Sequence, residues 1–232
     1  GGNGNDAVTG DAGNDTAVGG VGNDSINGGI GDDKISGEAG NDSIYGGDGV
    51  DTLSGNDGVD VVGGDAGNDK LTGGAGDDNL VGGAGDDNLA GEIGNDTANG
   101  GDGADALLGG DGNDTVKVGK GGGQVVDLLG DNTLSAFADS DAGVTFITGL
   151  GNDKLTGGRG NDVLFAGAGN NQLTGGAGGD DRRCQVNDDV VGRCRRHTGV
   201  AGRIGGGRRE VVGPGGQRAS RVGPCSGPIR RG

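Results

Sequence analysis

The chain opens with GGNGNDAVT, Gly1–Thr9; the phrase returns as GDAGNDTAV, Gly10–Val18, and again as GGVGNDSIN, Gly19–Asn27. It runs without a slip to Lys117, giving thirteen repeats in one phase. In all thirteen the fourth place is Gly and the sixth is Asp. The eighth place is always apolar: Val8, Ala17, Ile26, Ile35, Ile44, Leu53, Val62, Leu71, Leu80, Leu89, Ala98, Leu107 and Val116. A fixed phase of this kind marks a stack of identical supersecondary units, whereas a disordered Gly-rich chain has no need of one.

Each place has a physical use. Gly at places one, two and four permits positive φ and sharp turning. Asn or Asp at place five tolerates a left-handed backbone and bonds locally. Places seven to nine alternate sides as a strand does, with place eight on its own side. The spacing therefore predicts a turn of six residues and a strand of three, repeated into a coil of short parallel strands around a thin aliphatic core. The sixth-place acids then fall into columns, with neighbouring coils about 4.8 Å apart. Ionised carboxylates so close repel one another unless a cation intervenes. Carboxylate and turn-carbonyl oxygens suit Ca²⁺, while Mg²⁺ demands a smaller, stricter octahedron. The candidate ligands are Asp6, Asp15, Asp24, Asp33, Asp42, Asp51, Asp60, Asp69, Asp78, Asp87, Asp96, Asp105 and Asp114. Residues 1–181 contain neither Cys nor His, so zinc has no obvious site there.

The phrase resembles the calcium-binding nonapeptide of the RTX, or haemolysin-type, repeat family, GGxGxDxUx. The resemblance covers 1–117 and resumes at Thr148 as TGLGNDKLT, GGRGNDVLF, AGAGNNQLT and GGAGGDDRR. Asp153 and Asp162 join the candidates; Asp180 fills the same place and Asn171 replaces the acid once. In the last unit Arg182 stands at the apolar place, so that coil is expected not to close. The resemblance implies an all-β fold, a parallel β-roll or β-helix solenoid with two repeats per turn. It implies calcium ions between the turns of repeats n and n+2, held by sixth-place Asp and turn carbonyls. Thirteen repeats would hold about eleven ions, about +22 of charge. That nearly cancels the net −26 of residues 1–181. It also implies a secreted, extracellular protein that folds on meeting calcium and leaves the cell by type I secretion machinery.

Composition sets the outer limits. Of 232 residues 64 are Gly, only 2% are aromatic, and the formal net charge is −17. Large apolar side chains are too scarce for an ordinary layered core. Gly does not recur every third residue, which excludes collagen. There is no bilayer-length apolar run and no basic-then-apolar leader. The chain contains no Met, and the expectation is a fragment of a longer repeat protein whose own target stays open. Residues 182–232 carry a net +9, a composition break that sets a boundary. Four segments follow: a regular roll at 1–117, an irregular segment at 118–147, a second run of nonapeptides at 148–181, and a basic tail at 182–232.

From Val118 the phase breaks. The segment to 147 either continues the stack as calcium-free coils or connects two rolls. Asp127, Asp131, Asp139 and Asp141 lie off the pattern and read as solvated surface acids. The tail reads as disordered, as a shifted reading frame of GC-rich DNA, or as a basic arm. It contains no Phe, Tyr or Trp on which bases could stack, and no nucleic-acid partner is expected. HExxH and GxSxG are absent and there is one His, so the chain itself is not expected to be an enzyme. The alternative is the C-terminal repeat module of a secreted metalloprotease, lipase or epimerase, or of an adhesin. Place nine shows no regular Thr/Asn ladder, which speaks against the adhesin.

Overall fold

The computed structural model describes residues 1–138, 140–184, 189–191 and 195–196. Successive strands alternate between two parallel sheets, of twelve and eleven strands among the described residues. Thr16–Val21 pairs with Lys34–Ala39, and Ser25–Ile30 pairs with Ser43–Asp48 in the other sheet, each eighteen residues on. Two nonapeptides thus make one coil of an all-β parallel solenoid. Among the described residues no helix is long and apolar enough to cross a membrane.

The core lies between the sheets and is built from place eight. Ile26, Ile44, Leu53, Val62, Leu71, Leu80 and Leu89 are buried on one another, with Val8 and Ala17 half-covered at the N-terminal end. Each buried Leu or Ile contributes roughly 1.5–3 kcal/mol. The stack supplies an aliphatic rung per strand with very little aromatic content.

The strands are longer and the turns shorter than the spacing predicts. From Thr16 to Asp102 each strand takes six residues, places seven to three, and each turn takes three. The residues at places two and three, such as Gly20 and Val21, carry ladder bonds instead of belonging to the turn. Pairing steps over place one: Val18 faces Ser36 and Gly20 faces Glu38, with Gly19 passed over between them. Three-residue strands occur at the N-terminal end, Ala7–Thr9, and again at Lys154–Thr156, Val163–Phe165 and Gln172–Thr174. Positive φ falls at places two and four, not five; place four is always glycine, but place two is not. Glu38 (φ 77°), Asn56 (φ 79°) and Glu92 (φ 78°) adopt it without being glycine.

The sheets run on through 118–147. Spacing of eighteen persists, with Leu107 on Val125, Val116 on Leu134 and Val118 on Ala136. It becomes twenty-one only in the next pairs, Val125 on Phe146 and Leu134 on Leu155. The three extra residues therefore lie between Ala136 and Val144. Buried Ser140 secures that longer loop by donating to the Lys120 carbonyl at 2.6 Å. Lys117 covers the Phe137 ring, its Nζ 3.7 Å from the centroid.

The coil carrying Arg182 does close, against expectation. Asp181–Cys184 pairs with Val163–Phe165, placing Arg182 beside Leu164. Its guanidinium reaches Asp180 instead of solvent. The expectation of a disordered or frame-shifted tail falls, beyond Cys184 and two short strands, outside the described residues.

Candidate metal centre

The turns bring the sixth-place acids into two columns, one at each edge of the roll. One holds Asp6, Asp24, Asp42, Asp60, Asp78, Asp96 and Asp114, then Asn132, Asp153 and Asn171. The other holds Asp15, Asp33, Asp51, Asp69, Asp87 and Asp105, and resumes at Asp162 and Asp180. Asp6 and Asp15, at the N-terminal end, are half-buried; the remaining sequence candidates are buried.

The two oxygens of each carboxylate do different work. The amide of each acid donates to Oδ1 of the acid one coil later: Asp24 to Asp42 at 2.7 Å, Asp60 to Asp78 at 2.8 Å. Oδ2 has no such partner. From Asp6 through Asp114 it is buried without a hydrogen bond. A buried acceptor left unmet costs about 1–3 kcal/mol, more when charged, and here the cost recurs every nine residues.

Place one explains where that oxygen points. Gly19 is not left-handed; it is glycine for room. A methyl group there would collide with Asp24 Oδ2 and with the Gly37 carbonyl oxygen. Gly28, Gly64 and Gly82 form the same cradle with Asp33, Asp69 and Asp87. Among the described residues no three acidic, His or Cys side chains gather at one point. Further ligands must come from backbone carbonyls, which is the oxygen-only donor set that calcium accepts.

Where the chain departs from Asp, it supplies its own substitute. Asn132 and Asn171 keep the Oδ1 bond, accepting from Asp114 and Asp153 at 2.8 Å. Their Nδ2 groups donate to the carbonyls of Leu129 (3.1 Å) and Gly167 (3.3 Å). In Asp162, Oδ2 accepts from the Gly158 amide at 3.0 Å. At Asp180, Arg182 Nη1 lies 3.3 Å from Oδ2 and occupies the cradle of Gly175, a built-in cation standing where the regular turns leave a carboxylate oxygen bare.

Burial pushes the column acids from Asp42 to Asp114, and Asp162, upward. Asp51, Asp87 and Asp96 rise to about 6 and Asp78 to about 7; burial is the largest cause, opposed by the donated amide and reinforced by neighbouring carboxylates. Asp42, Asp60, Asp69, Asp105, Asp114 and Asp162 shift the same way, burial again first. A cation beside Oδ2 would relieve both burial and repulsion.

Two features escaped the sequence reading. Asp127 is no surface acid: it is fully buried, and burial followed by the charges of Asp114 and Asp153 pushes it up to about 8. Counting nines through the irregular segment puts it at place one, a signal hidden because the glycine expected there is missing. Asp131 and Asp141 are exposed, and Asp139 lies outside the described residues. Place five also bonds across coils, not locally. Asn23 donates its amide to Asn5 Oδ1 at 2.9 Å, and Asn41 to Asn23 Oδ1 at 3.0 Å, a ladder running opposite to that of place six.

The family described as the RTX calcium-binding nonapeptide repeat matches residues 1–35, 27–62, 54–89, 63–98, 81–116, 91–125 and 147–181. The chain belongs to this RTX repeat family. No curated protein matches it. RTX repeats bind calcium in a β-roll, and the orphaned oxygens and glycine cradles of this RTX chain fit that ion. The gap in the matches, 126–146, is the stretch where the acid is lost from place six and the three-residue loop enters.

Proposed function

We propose that this RTX chain is a secreted structural module whose folding is coupled to calcium. The observation that carries the reading is the run of buried, unpartnered Oδ2 atoms from Asp6 to Asp114, each beside a glycine cradle. Asp153 and Asp162 extend the columns as candidate ligands. Bound calcium would supply the positive charge and oxygen coordination that these turns need.

Without it the acids of residues 1–181 repel one another, and the metal-free chain stays expanded. Calcium at extracellular concentrations tips the balance, because binding free energy becomes folding free energy when the unfolded chain has no site. Such a chain suits export by type I secretion machinery: extended in calcium-poor cytosol, folded on arrival outside. The roll's role is structural, not catalytic.

The test is far-UV circular dichroism of the full chain during a calcium titration, with magnesium as control. A cooperative coil-to-β transition with calcium alone is expected. Full β-signal in chelator, or no change up to ~10 mM calcium, beyond the weak end of extracellular sites, overturns the reading.

A further inference from the structure

At the junction of the regular run with the irregular coils, one cradle differs from the others. The groups that crowd Gly109 are Asp114 Oδ2 and Asp127 Oδ2. At Gly19, Gly28, Gly64, Gly82 and Gly91 the neighbour from the next coil is a glycine carbonyl, which Gly109 itself provides to Gly91. Asp127 stands at place one of its coil, so a whole carboxylate replaces a hydrogen and enters the space that the regular turns leave to Oδ2.

Apart from the Gly110 amide and the Asp114 carboxyl beside it, no group among the described residues approaches that carboxylate as a partner. Asp127 is fully buried and both of its oxygens lack a hydrogen-bond partner. Beside it in register is Thr148, 1% exposed, whose Oγ1 is also buried without a partner. The nearest basic side chains in sequence are engaged elsewhere: Lys117 on the Phe137 ring and Lys120 on Asp102 at 3.3 Å. Two carboxyl groups facing each other in a buried site cannot both ionise without a counter-ion, because a buried pair of like charges is strongly unfavourable.

We propose that Asp114 and Asp127 form a two-carboxylate calcium site in the Gly109 cradle, completed by Thr148 Oγ1. This site is distinct from the repeating one-carboxylate sites and rests on the calcium reading given above. Calcium affinity rises with the number of charged ligands, so this is the tightest site of the chain. It joins the coil of Gly109 to those of Asp127 and Thr148, and so clamps the regular run onto the irregular coils.

The experiment is calcium binding to the full chain by equilibrium dialysis and calorimetry, comparing wild type with Asp127→Asn, Asp127→Gly and Asp131→Asn. Asp127→Asn is expected to lose one calcium ion per chain and the tightest binding phase. Asp127→Gly restores the ordinary place-one residue; it is expected to keep the ion count but weaken the tightest phase by about tenfold. It also keeps the proposal decidable if a buried amide prevents folding. The exposed Asp131→Asn is expected to match wild type. Wild-type count and affinity in both Asp127 variants would overturn this site while leaving the repeat sites standing. A wild-type chain that binds no calcium at all would instead overturn the reading on which the site rests.

Discussion

The regular coils up to Asp114 and the coils beyond it share one core and differ in their turns. Leu80 and Leu155 are equally buried between the same two sheets. Yet the early turns leave a carboxylate oxygen bare every nine residues, while several later turns complete themselves with the amides of Asn132 and Asn171, the Gly158 N–H, or Arg182. A solenoid can therefore meet the same electrostatic demand with an imported cation or with its own donors. The choice is made by one or two residues per turn, on the same pair of parallel sheets.

The largest break in that comparison should come from removing calcium. A site loaded at a hundred times its dissociation constant adds about 2.7 kcal/mol, and the early coils hold many such sites. Hydrogen exchange in chelator should strip protection from 15–114 by on the order of a hundredfold or more, and from 148–174 by much less. Equal loss in both regions would show that the coils melt as one unit regardless of turn chemistry.

Next in size is the core. Leu80→Ala and Leu155→Ala should each cost about 2–5 kcal/mol in chemical denaturation at saturating calcium. The two costs should agree, since both side chains are fully buried between the same two sheets. A clearly smaller cost at Leu155 would place the difference in packing.

Exchanging the turn residues tests the comparison directly. Asp60→Asn should lose one bound calcium and leave a turn that satisfies itself. Asn171→Asp should do the reverse, destabilising the calcium-free chain by about 1–3 kcal/mol and making its coil respond to calcium. Acidity probes the same oxygens without mutation. The sixth-place acids from Asp42 to Asp114 lie above their ordinary 3.8 in the folded chain, so the metal-free fold binds more protons than the unfolded chain. Its stability gain is complete below 3.8 and is lost as pH rises through about 6 for Asp51, Asp87 and Asp96, and about 7 for Asp78. In chelator, β-signal should return on acidification from pH 7.5 to 5, and calcium binding near neutrality should release protons.

Much of this was legible in the sequence, because a fixed phase converts directly into stacking: Asp at six gave the columns and the apolar residue at eight gave the core. What escaped depended on relations between coils. The left-handed place two, held by Glu38 and Glu92, contradicts local propensity and is imposed by the ladder on either side. The glycine at place one, Gly19, is demanded by Asp24 and by the carbonyl of Gly37 eighteen residues on, and nothing within one phrase reveals it. Asp127 was hidden for the same reason: its meaning comes from Gly109 and Asp114 one coil earlier.

The smallest expected effect is the most specific. Arg182 Nη1 lies beside Asp180 Oδ2 in the Gly175 cradle, with both side chains largely buried. If that guanidinium does what calcium does elsewhere, Arg182→Gln should bare the carboxylate oxygen and open a site. Calcium binding to the full chain should then rise by one ion, and the coil of Asp180 should gain protection only when calcium is present. A lysine at the same place keeps the charge but offers a single ammonium in place of the planar fork, so Arg182→Lys should leave the count at the wild-type value. An unchanged count in Arg182→Gln would mean that the cradle at Gly175, without a further coil stacked in the regular way, lacks the carbonyl oxygens needed to hold an ion. The self-sufficiency of the later coils would then reflect missing oxygens as much as a resident positive charge.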